Sequence, residues 1–70
     1  MNWNYRVAKK KFDGDDCYGI IEVYYEDGEV MGWTDFVDLL GWDNPEDLKG
    51  TLELMLKAFD KPVFEGEISD

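Results

Sequence analysis

The stretch YGIIEVYYEDG, residues 18–28, constrains the fold more than any other part of this 70-residue chain. Tyrosines and branched aliphatic residues, which are typical of strands, run up to the pair Asp27-Gly28. Both residues of an Asp-Gly pair can adopt the positive φ that a tight hairpin turn needs. The stretch therefore predicts a strand that ends in a hairpin, with the next strand beginning near Val30.

A hairpin is also expected before this one. Residues 3–12 alternate with a period of two, which predicts a strand with Trp3, Tyr5 and Val7 on one side. The sequence DGDD at 13–16 then favours a turn. A loop centred on Gly14-Asp15 would give these cross-strand pairs: Phe12 with Cys17, Val7 with Glu22, and Tyr5 with Tyr24.

The sequence WTDFVDLLG, residues 33–41, fits two structures. Its apolar residues have helical spacing, yet the same residues fit a short edge strand nearly as well. The residues on which the helical alternative depends are Trp33, Phe36, Val37 and Leu40. The sequence leaves both interpretations open.

Residues 44–59 predict an amphipathic helix. Asn44 is a good N-cap, Pro45 suits the first helical position, and Asp47 occupies the place of a capping-box acid. Pro62 ends the helical region. The apolar spacing predicts one stripe, which we expect to cover a sheet, formed by Leu48, Leu52, Met55, Leu56 and Phe59.

Strands followed by one helix predict an α+β fold. We expect one small domain over residues 1–70, with an antiparallel sheet of about three strands. One C-terminal amphipathic helix should pack on one face of that sheet.

The composition excludes several kinds of chemistry. The chain has no histidine and a single cysteine, Cys17, so a disulfide within the chain and the usual zinc site are both excluded. Ser69 is the only serine, and no histidine is present to activate it. We therefore expect no enzyme, no cofactor and no metal. A pair of carboxylates acting as acid and base is the remaining enzymatic alternative, and no such pair stands out.

The chain carries neither a signal sequence nor a run of 18 apolar residues, so no membrane span is expected. A lone cysteine agrees with a reducing compartment. These features predict a cytoplasmic protein.

One face of the predicted sheet should stay uncovered, because a single helix is too narrow to cover both. In the second strand, Ile21, Val23 and Tyr25 point to one side, and the intervening residues point to the other. We expect that other side to be a contact surface for a protein, formed by Trp3, Tyr5, Tyr18, Ile20, Tyr24 and Trp33. The alternative is that the tyrosines are half-exposed with their hydroxyls in water, or that residues 33–41 fold back over them.

The formal net charge of −10 is distributed unevenly. Residues 1–12 hold four basic residues and no acid, whereas the remaining residues hold all 17 acids. A molecule this negative is repelled by a polyanion, so we expect no direct binding to nucleic acid. The lysines at 9–11 should protect a strand edge or pair with Glu22 across the hairpin.

The acidic residues of the loop and helix allow a sharper hypothesis. They could imitate a phosphate backbone and bind a basic protein, through Asp35, Asp38, Asp43, Glu46, Asp47, Glu53 and Asp60. The simpler explanation is that they complement the helix dipole and keep a small protein in solution.

Three motifs resemble a family of small proteins from bacteria and their phages. The motifs are WNYRV at 3–7, YGIIEVYYEDG at 18–28 and LELMLKAFDKPVF at 52–64, and together they cover nearly the whole chain. Many members have His-Glu-Val-Tyr-Tyr where this chain has Ile21 to Tyr25, so no role for that histidine is implied here. The resemblance implies a compact bacterial or phage accessory protein, and it carries over no activity, cofactor or site residue.

Two functional hypotheses follow. The leading one is a non-enzymatic acidic module that binds a protein, with a second copy of the chain as one candidate partner. The alternative is a phage-type inhibitor that imitates nucleic-acid charge and blocks a host nuclease or defence complex.

Overall fold

Two consecutive hairpins build a three-stranded antiparallel sheet in the order β1-β2-β3. The structure is a computed structural model that describes residues 2–39 and 41–68. The strands are β1 (Asn2–Phe12), β2 (Asp15–Glu26) and β3 (Glu29–Trp33). Helix α1 (Pro45–Leu56) follows and continues into a 3₁₀ turn (Lys57–Asp60). The predicted α+β class is confirmed, as is the start of the third strand near Val30.

Both hairpin turns are Asp-Gly pairs with positive φ. The φ angles are 51° and 85° at Asp13 and Gly14, and 51° and 80° at Asp27 and Gly28. Positive φ at both central residues is the geometry of a type I′ turn, whose twist matches that of the flanking strands. The hairpin predicted at Asp27-Gly28 is therefore confirmed.

The first turn is tighter than predicted, so the predicted register is wrong by two residues. Phe12 pairs with Asp15 instead of Cys17, because residues 13 and 14 alone form the loop. The same shift gives the pairs Val7 with Ile20 and Tyr5 with Glu22. Since side chains alternate with a period of two, a shift of two leaves every residue on its predicted side of the sheet.

The pairing of β2 with β3 contains a bulge. Tyr25 pairs with Val30 and Tyr24 pairs with Gly32, so Met31 is the extra residue in β3. Beyond the bulge, Trp33 pairs with Val23 and shares its side of the sheet.

Residues 34–39 have no regular secondary structure and continue along β2. The Thr34 N–H donates to the Glu22 carbonyl at 2.9 Å, and the Val37 N–H donates to the Ile20 carbonyl at 2.8 Å. The segment thus keeps part of an edge strand's hydrogen bonding, and the helical alternative is not observed. Leu40, on which that alternative also depended, lies outside the described residues, as does Ser69.

The start of α1 follows the sequence prediction. The Asp47 N–H donates to Asn44 Oδ1 at 2.8 Å, and Pro45 is the first helical residue. This cap satisfies one of the N–H groups that have no partner within the helix. Asn44 is therefore confirmed as the N-cap.

The predicted apolar stripe of the helix is not buried as a unit. Met55 is buried and Leu48 is half-buried, whereas Leu52, Leu56 and Phe59 are 44%, 68% and 66% exposed. The 3₁₀ turn and α1 contact the sheet mainly through β1. None of the residues in the described part of α1 belongs to the fully buried core.

We call the side of the sheet that carries Ile21 and Val23 the sealed face. Both side chains are fully buried, together with Ala8. They pack against Tyr25 of the same face and against three side chains from irregular segments, Phe36, Phe64 and Ile68. We predicted that the helix would cover this face; the segments after β3 and after the 3₁₀ turn cover it instead.

The segment after the 3₁₀ turn is fixed to β1. The Phe64 N–H donates to the Val7 carbonyl at 2.8 Å, and Phe64 forms a parallel bridge with Ala8. The Arg6 guanidinium donates to the Pro62 carbonyl at 2.8 Å and lies over the Phe64 ring, 5.5 Å from its centroid. Over the described residues, no helix is long and apolar enough to cross a membrane.

Candidate functional site

The opposite side of the sheet, which we call the open face, carries most of the predicted contact residues. On this face Trp3 lies opposite Tyr24, Val7 opposite Ile20, and Lys9 opposite Tyr18. Tyr5 lies between them, opposite Glu22. The structure therefore brings together Trp3, Tyr5, Tyr18, Ile20 and Tyr24.

Trp33 is the predicted contact residue that lies elsewhere. The bulge in β3 places it on the sealed face, where its ring packs edge-on against Phe64 with centroids 4.9 Å apart. Its indole N–H donates to the Glu67 carbonyl at 2.9 Å. Trp33 therefore helps to hold the segment that seals the core.

The end of α1 and the 3₁₀ turn divide the open face into two grooves. The Trp3 groove has a volume of ≈ 190 Å³ and is lined by Trp3, Asn4, Tyr5, Leu54, Lys57 and Lys61. The Tyr18 groove has a volume of ≈ 200 Å³ and is lined by Val7, Tyr18, Gly19, Ile20 and Phe59. Val7 of the open face is buried, as are Met55 and Ala58 of the helical segment, whereas Trp3 and Tyr18 remain exposed.

The Trp3 groove combines aromatic rings with two cations. The Trp3 and Tyr5 rings meet edge to face at 89°, with centroids 5.1 Å apart, an arrangement that aromatic pairs prefer. Trp3 is still 48% exposed. Among the described residues, no carboxylate forms an ion pair with Lys57 or Lys61.

The Tyr18 groove is bordered by apolar side chains that face solvent. Tyr18 is 59% exposed, and Phe59 on the opposite wall belongs to the exposed part of the helical segment. We call Leu52, Leu56 and Phe59 the exposed stripe. Large apolar side chains exposed side by side are uncommon on a monomer and usually mark a contact surface.

Glu22 is a half-buried carboxylate in the middle of the open face. The Tyr24 hydroxyl donates to Glu22 Oε1 at 3.0 Å. That hydrogen bond to a carboxylate, with a smaller contribution from desolvation, raises the pKa of Tyr24. Burial, and then the charge of Glu22, raise the pKa of Tyr5.

Among the ion pairs that the described residues form, the predicted pairing of Glu22 with a lysine of β1 does not occur. Lys9 and Lys11 approach Asp16 at 4.0 and 3.0 Å, and Lys10 approaches Asp35 at 3.2 Å. The reason is the alternation along the strands, because Lys10 lies on the sealed face and the other two lie too far along β1 from Glu22.

The seven acidic residues of the alternative hypothesis are all exposed, and several have local structural roles. Asp35 accepts the Phe36 N–H at 2.7 Å and pairs with Lys10, and both contacts lower the pKa of Asp35. Glu53 lies 3.9 Å from Lys49. The start of α1 carries Asp43, Glu46 and Asp47 close together in sequence, and Asp38 and Asp60 lie apart from them.

Within residues 2–39 and 41–68, no group of three or more metal-ligating side chains could hold a metal ion. Cys17 is exposed.

The sequence interpretation missed the helical residues of this surface. It assigned Leu56 and Phe59 to the core, and it gave no role to Leu54, Lys57 or Lys61. A signal for them was present, since apolar residues at 52, 54, 55, 56, 58 and 59 surround too much of a helix for one buried face.

No family model matches the chain, and the searches of curated proteins and of solved structures give no match. The functional proposals below therefore rest on the geometry of the chain itself.

Proposed function

We propose that this chain is a non-enzymatic protein-interaction module that binds its partner through the open face. The observation that carries the proposal is the surface that the chain leaves exposed. Its accessible surface is 5504 Å², whereas a compact chain of 8.2 kDa exposes roughly 4,500 Å². The excess of roughly 1,000 Å² belongs to the chain as a whole, and the exposed rings of Trp3 and Tyr18 place part of it on the open face.

The small core supports the same proposal. Of the large side chains in the described part, Ile21 and Val23 are the ones that are fully buried. The Cα radius of gyration is 13.0 Å, against about 11 Å for a compact domain of this length. A chain that buries so little of its apolar surface gains much by burying more against another protein.

The side chains on the open face are of the kinds that dominate interfaces. Tryptophan and tyrosine are the residues most enriched among those whose truncation weakens binding, and Trp3 and Tyr18 are both exposed here. Their hydroxyl and indole groups tolerate water in the free chain, while their rings provide apolar area in a complex.

Site-specific photo-crosslinking tests this function. A benzophenone side chain would replace Tyr18 in one variant and Phe12 in a control, because Phe12 is similarly exposed at 63% but lies at the distal turn of the first hairpin. We expect a discrete protein adduct from position 18 and none, or much less, from position 12. Equal labelling from the two positions, or none from either, would contradict a specific open-face interaction.

The alternative proposal, imitation of nucleic-acid charge, is favoured by the exposed acids at the start of α1. Binding of a basic nucleic-acid-handling protein should then weaken steeply between roughly 50 and 200 mM salt, because screening reduces attraction between opposite charges. Reversal of the charge at Glu46 and Asp47 should weaken it further. A complex unaffected by salt and by these changes would refute the imitation.

A further inference from the structure

We propose that the Trp3 groove binds an acidic segment of the partner protein, in which an aromatic or aliphatic side chain stands next to one or two carboxylates. The inference rests on the proposed function and names the chemistry of the partner. The apolar side chain of the segment lies against Trp3 and Leu54. The neighbouring carboxylates pair with Lys57 and Lys61.

The basic residues of the chain point to this groove. Arginine and lysine together number seven, and the structure describes all of them. Five contact groups of the chain itself: Lys9 and Lys11 reach Asp16, Lys10 reaches Asp35, Lys49 reaches Glu53, and Arg6 donates to the Tyr25 hydroxyl and the Pro62 carbonyl. Among the described residues, the ammonium groups of Lys57 and Lys61 have no such partner, and both lysines line the Trp3 groove.

The acidic residues leave this groove clear. Within the described part of the chain, no acidic side chain lines it, although the chain holds 17 acids. The acids nearest in sequence are Glu53, which pairs with Lys49, and Asp60. No residue of β2 lines the groove, so the Glu22 carboxylate is not part of it. The groove therefore offers local positive charge on an acidic chain, which favours a carboxylate as ligand and disfavours a cation.

The apolar part of the groove is formed before a partner arrives. The edge-to-face contact with Tyr5 holds the Trp3 ring, which is still 48% exposed, and Leu54 on the other wall is 50% exposed. The volume of ≈ 190 Å³ is below the roughly 300 to 1,000 Å³ of sites that enclose a whole small molecule. A groove of this size suits one large side chain of a bound segment.

Rings combined with lysines also occur in sites for single-stranded nucleic acid. Such a site follows the phosphate chain with a groove of positive charge, whereas two lysines line this groove and the chain as a whole carries −10. A polyanion is repelled along its length by that charge. An acidic protein segment brings one or two charges to one place and is the better match.

Selection from a library of random peptides displayed on phage tests the proposal. An acidic chain without a local cationic site would enrich basic peptides, because opposite charges steer association. We expect the enriched peptides instead to carry an aromatic or large aliphatic residue next to aspartate or glutamate. Enrichment of basic peptides, of apolar peptides without acids, or of none would overturn the proposal.

Matched substitutions then locate the site in titrations with an enriched peptide. The pair Lys57→Gln and Lys61→Gln should raise the dissociation constant by about fivefold, as loss of two exposed ion pairs does. The control is the pair Lys9→Gln and Lys11→Gln, which changes the charge equally at exposed lysines outside the groove and should leave the constant unchanged. Equal effects of the two pairs would overturn the proposal.

Trp3→Ala should weaken binding by at least about tenfold, because it removes the central ring of the groove. Amide NMR spectra show whether this variant is folded, and the lysine pairs decide if it is not. In the wild-type chain, the peptide should shift the amide signals of Trp3, Tyr5 and Leu54 more than those of Tyr18 and Ile20. Larger shifts around the Tyr18 groove would overturn the proposal.

The two proposals fail in different ways. A discrete adduct at position 18 without enrichment of acidic peptides would overturn the acidic segment and support the interaction function. Absence of both a position-specific adduct and an enriched peptide would overturn both. Single-stranded DNA of about ten thymidines, if bound more tightly than the peptide and weakened by the Lys57 and Lys61 substitutions, would make nucleic acid the occupant and overturn the acidic segment.

Discussion

The two faces of the sheet are formed by the same two strands, and they differ in how far their side chains are buried. On the sealed face, Ile21 and Val23 are fully buried beneath side chains from two irregular segments. On the open face, Tyr18 and Trp3 remain 59% and 48% exposed although a helical segment stands beside them. The chain thus buries Ile21 and Val23 by itself and leaves two large rings of the opposite face exposed.

The tyrosine hydroxyls on the two faces also differ in their hydrogen-bond partners. On the sealed face, the Tyr25 hydroxyl donates to Asn4 Oδ1 at 3.1 Å and accepts from the Arg6 guanidinium at 3.1 Å. On the open face, the Tyr24 hydroxyl donates to the Glu22 carboxylate at 3.0 Å. Neighbouring tyrosines of one strand thus differ in their hydrogen bonds, because the Tyr25 hydroxyl joins Asn4 and Arg6 whereas the Tyr24 hydroxyl joins Glu22.

The largest expected effect is a difference in the free energy of unfolding between alanine substitutions at two adjacent isoleucines, one on each face of the sheet. Ile21→Ala should lower the free energy of unfolding by about 3 kcal/mol, because it leaves a cavity in the sealed core. Ile20→Ala, on the open face and half-buried, should cost about 1 kcal/mol. Urea unfolding at a fixed chain concentration measures both. Equal costs would mean that the two faces are equally packed.

A smaller effect is expected at two glycines on opposite faces. A Cβ atom at Gly19 would lie 2.7 Å from the Phe36 ring, so Gly19→Ala should cost about 1 to 3 kcal/mol through overpacking. At Gly32, opposite Tyr24, a Cβ atom would meet nothing within 4 Å. Gly32→Ala should therefore be neutral or stabilise by up to about 1 kcal/mol, since alanine loses less backbone entropy on folding. A tolerated Gly19→Ala would show that Phe36 is not firmly seated.

The smallest expected effect is a pH dependence that differs between the faces. The pKa of Tyr24 is raised above 10.0 by its hydrogen bond to Glu22, so its contribution to stability is full below pH 10 and is lost as the pH rises through the raised pKa. The pKa of Asp35, which holds Phe36 over the sealed face, is lowered below 3.8, so its contribution is full above that pH and is lost on acidification.

Absorbance titration of the tyrosines checks the alkaline half of this prediction. Glu22→Gln should lower the pKa of Tyr24, because a neutral amide accepts the phenol proton less strongly than a carboxylate. Glu26→Gln, at the exposed end of β2, is the control and should leave the titration unchanged. Identical curves for the two variants would contradict the hydrogen bond at Glu22.

Local signals in the sequence predicted much of the fold. The Asp-Gly turn at 27–28, the alternation in β1 and β2 and the Asn44 cap each depend on residues within a few positions, and all three are present. The register of the first hairpin was wrong because two loops fit DGDD, and the choice between them depends on the φ of Asp13. The position of Trp33 was missed because a bulge reverses the alternation and leaves no mark in the sequence.

The sequence predicted which strand residues share the open face, but not where the helix lies relative to that face. The faces of β1 and β2 follow from the strand period alone, so Trp3, Tyr5, Tyr18, Ile20 and Tyr24 were correctly grouped. Which face the helix would approach depends on contacts between residues far apart in sequence. Phe64 and Ile68 have no periodic pattern that would identify them as core residues. The sequence therefore did not reveal that the segment after the 3₁₀ turn covers the sealed face, and the helix was predicted to cover it instead.

The hydrogen bond from Phe64 to Val7 has a further consequence, for the kinetics of folding and for aggregation. Hairpins with preformed turns close in about 1–10 µs, whereas this contact must bring together residues separated by most of the chain and so forms later. Until it forms, and whenever it opens, the outer edge of β1 offers unpaired backbone groups to strands of other molecules. The exposed Lys9 and Lys11 on that strand then oppose pairing between chains, and neutralising them should accelerate fibril formation.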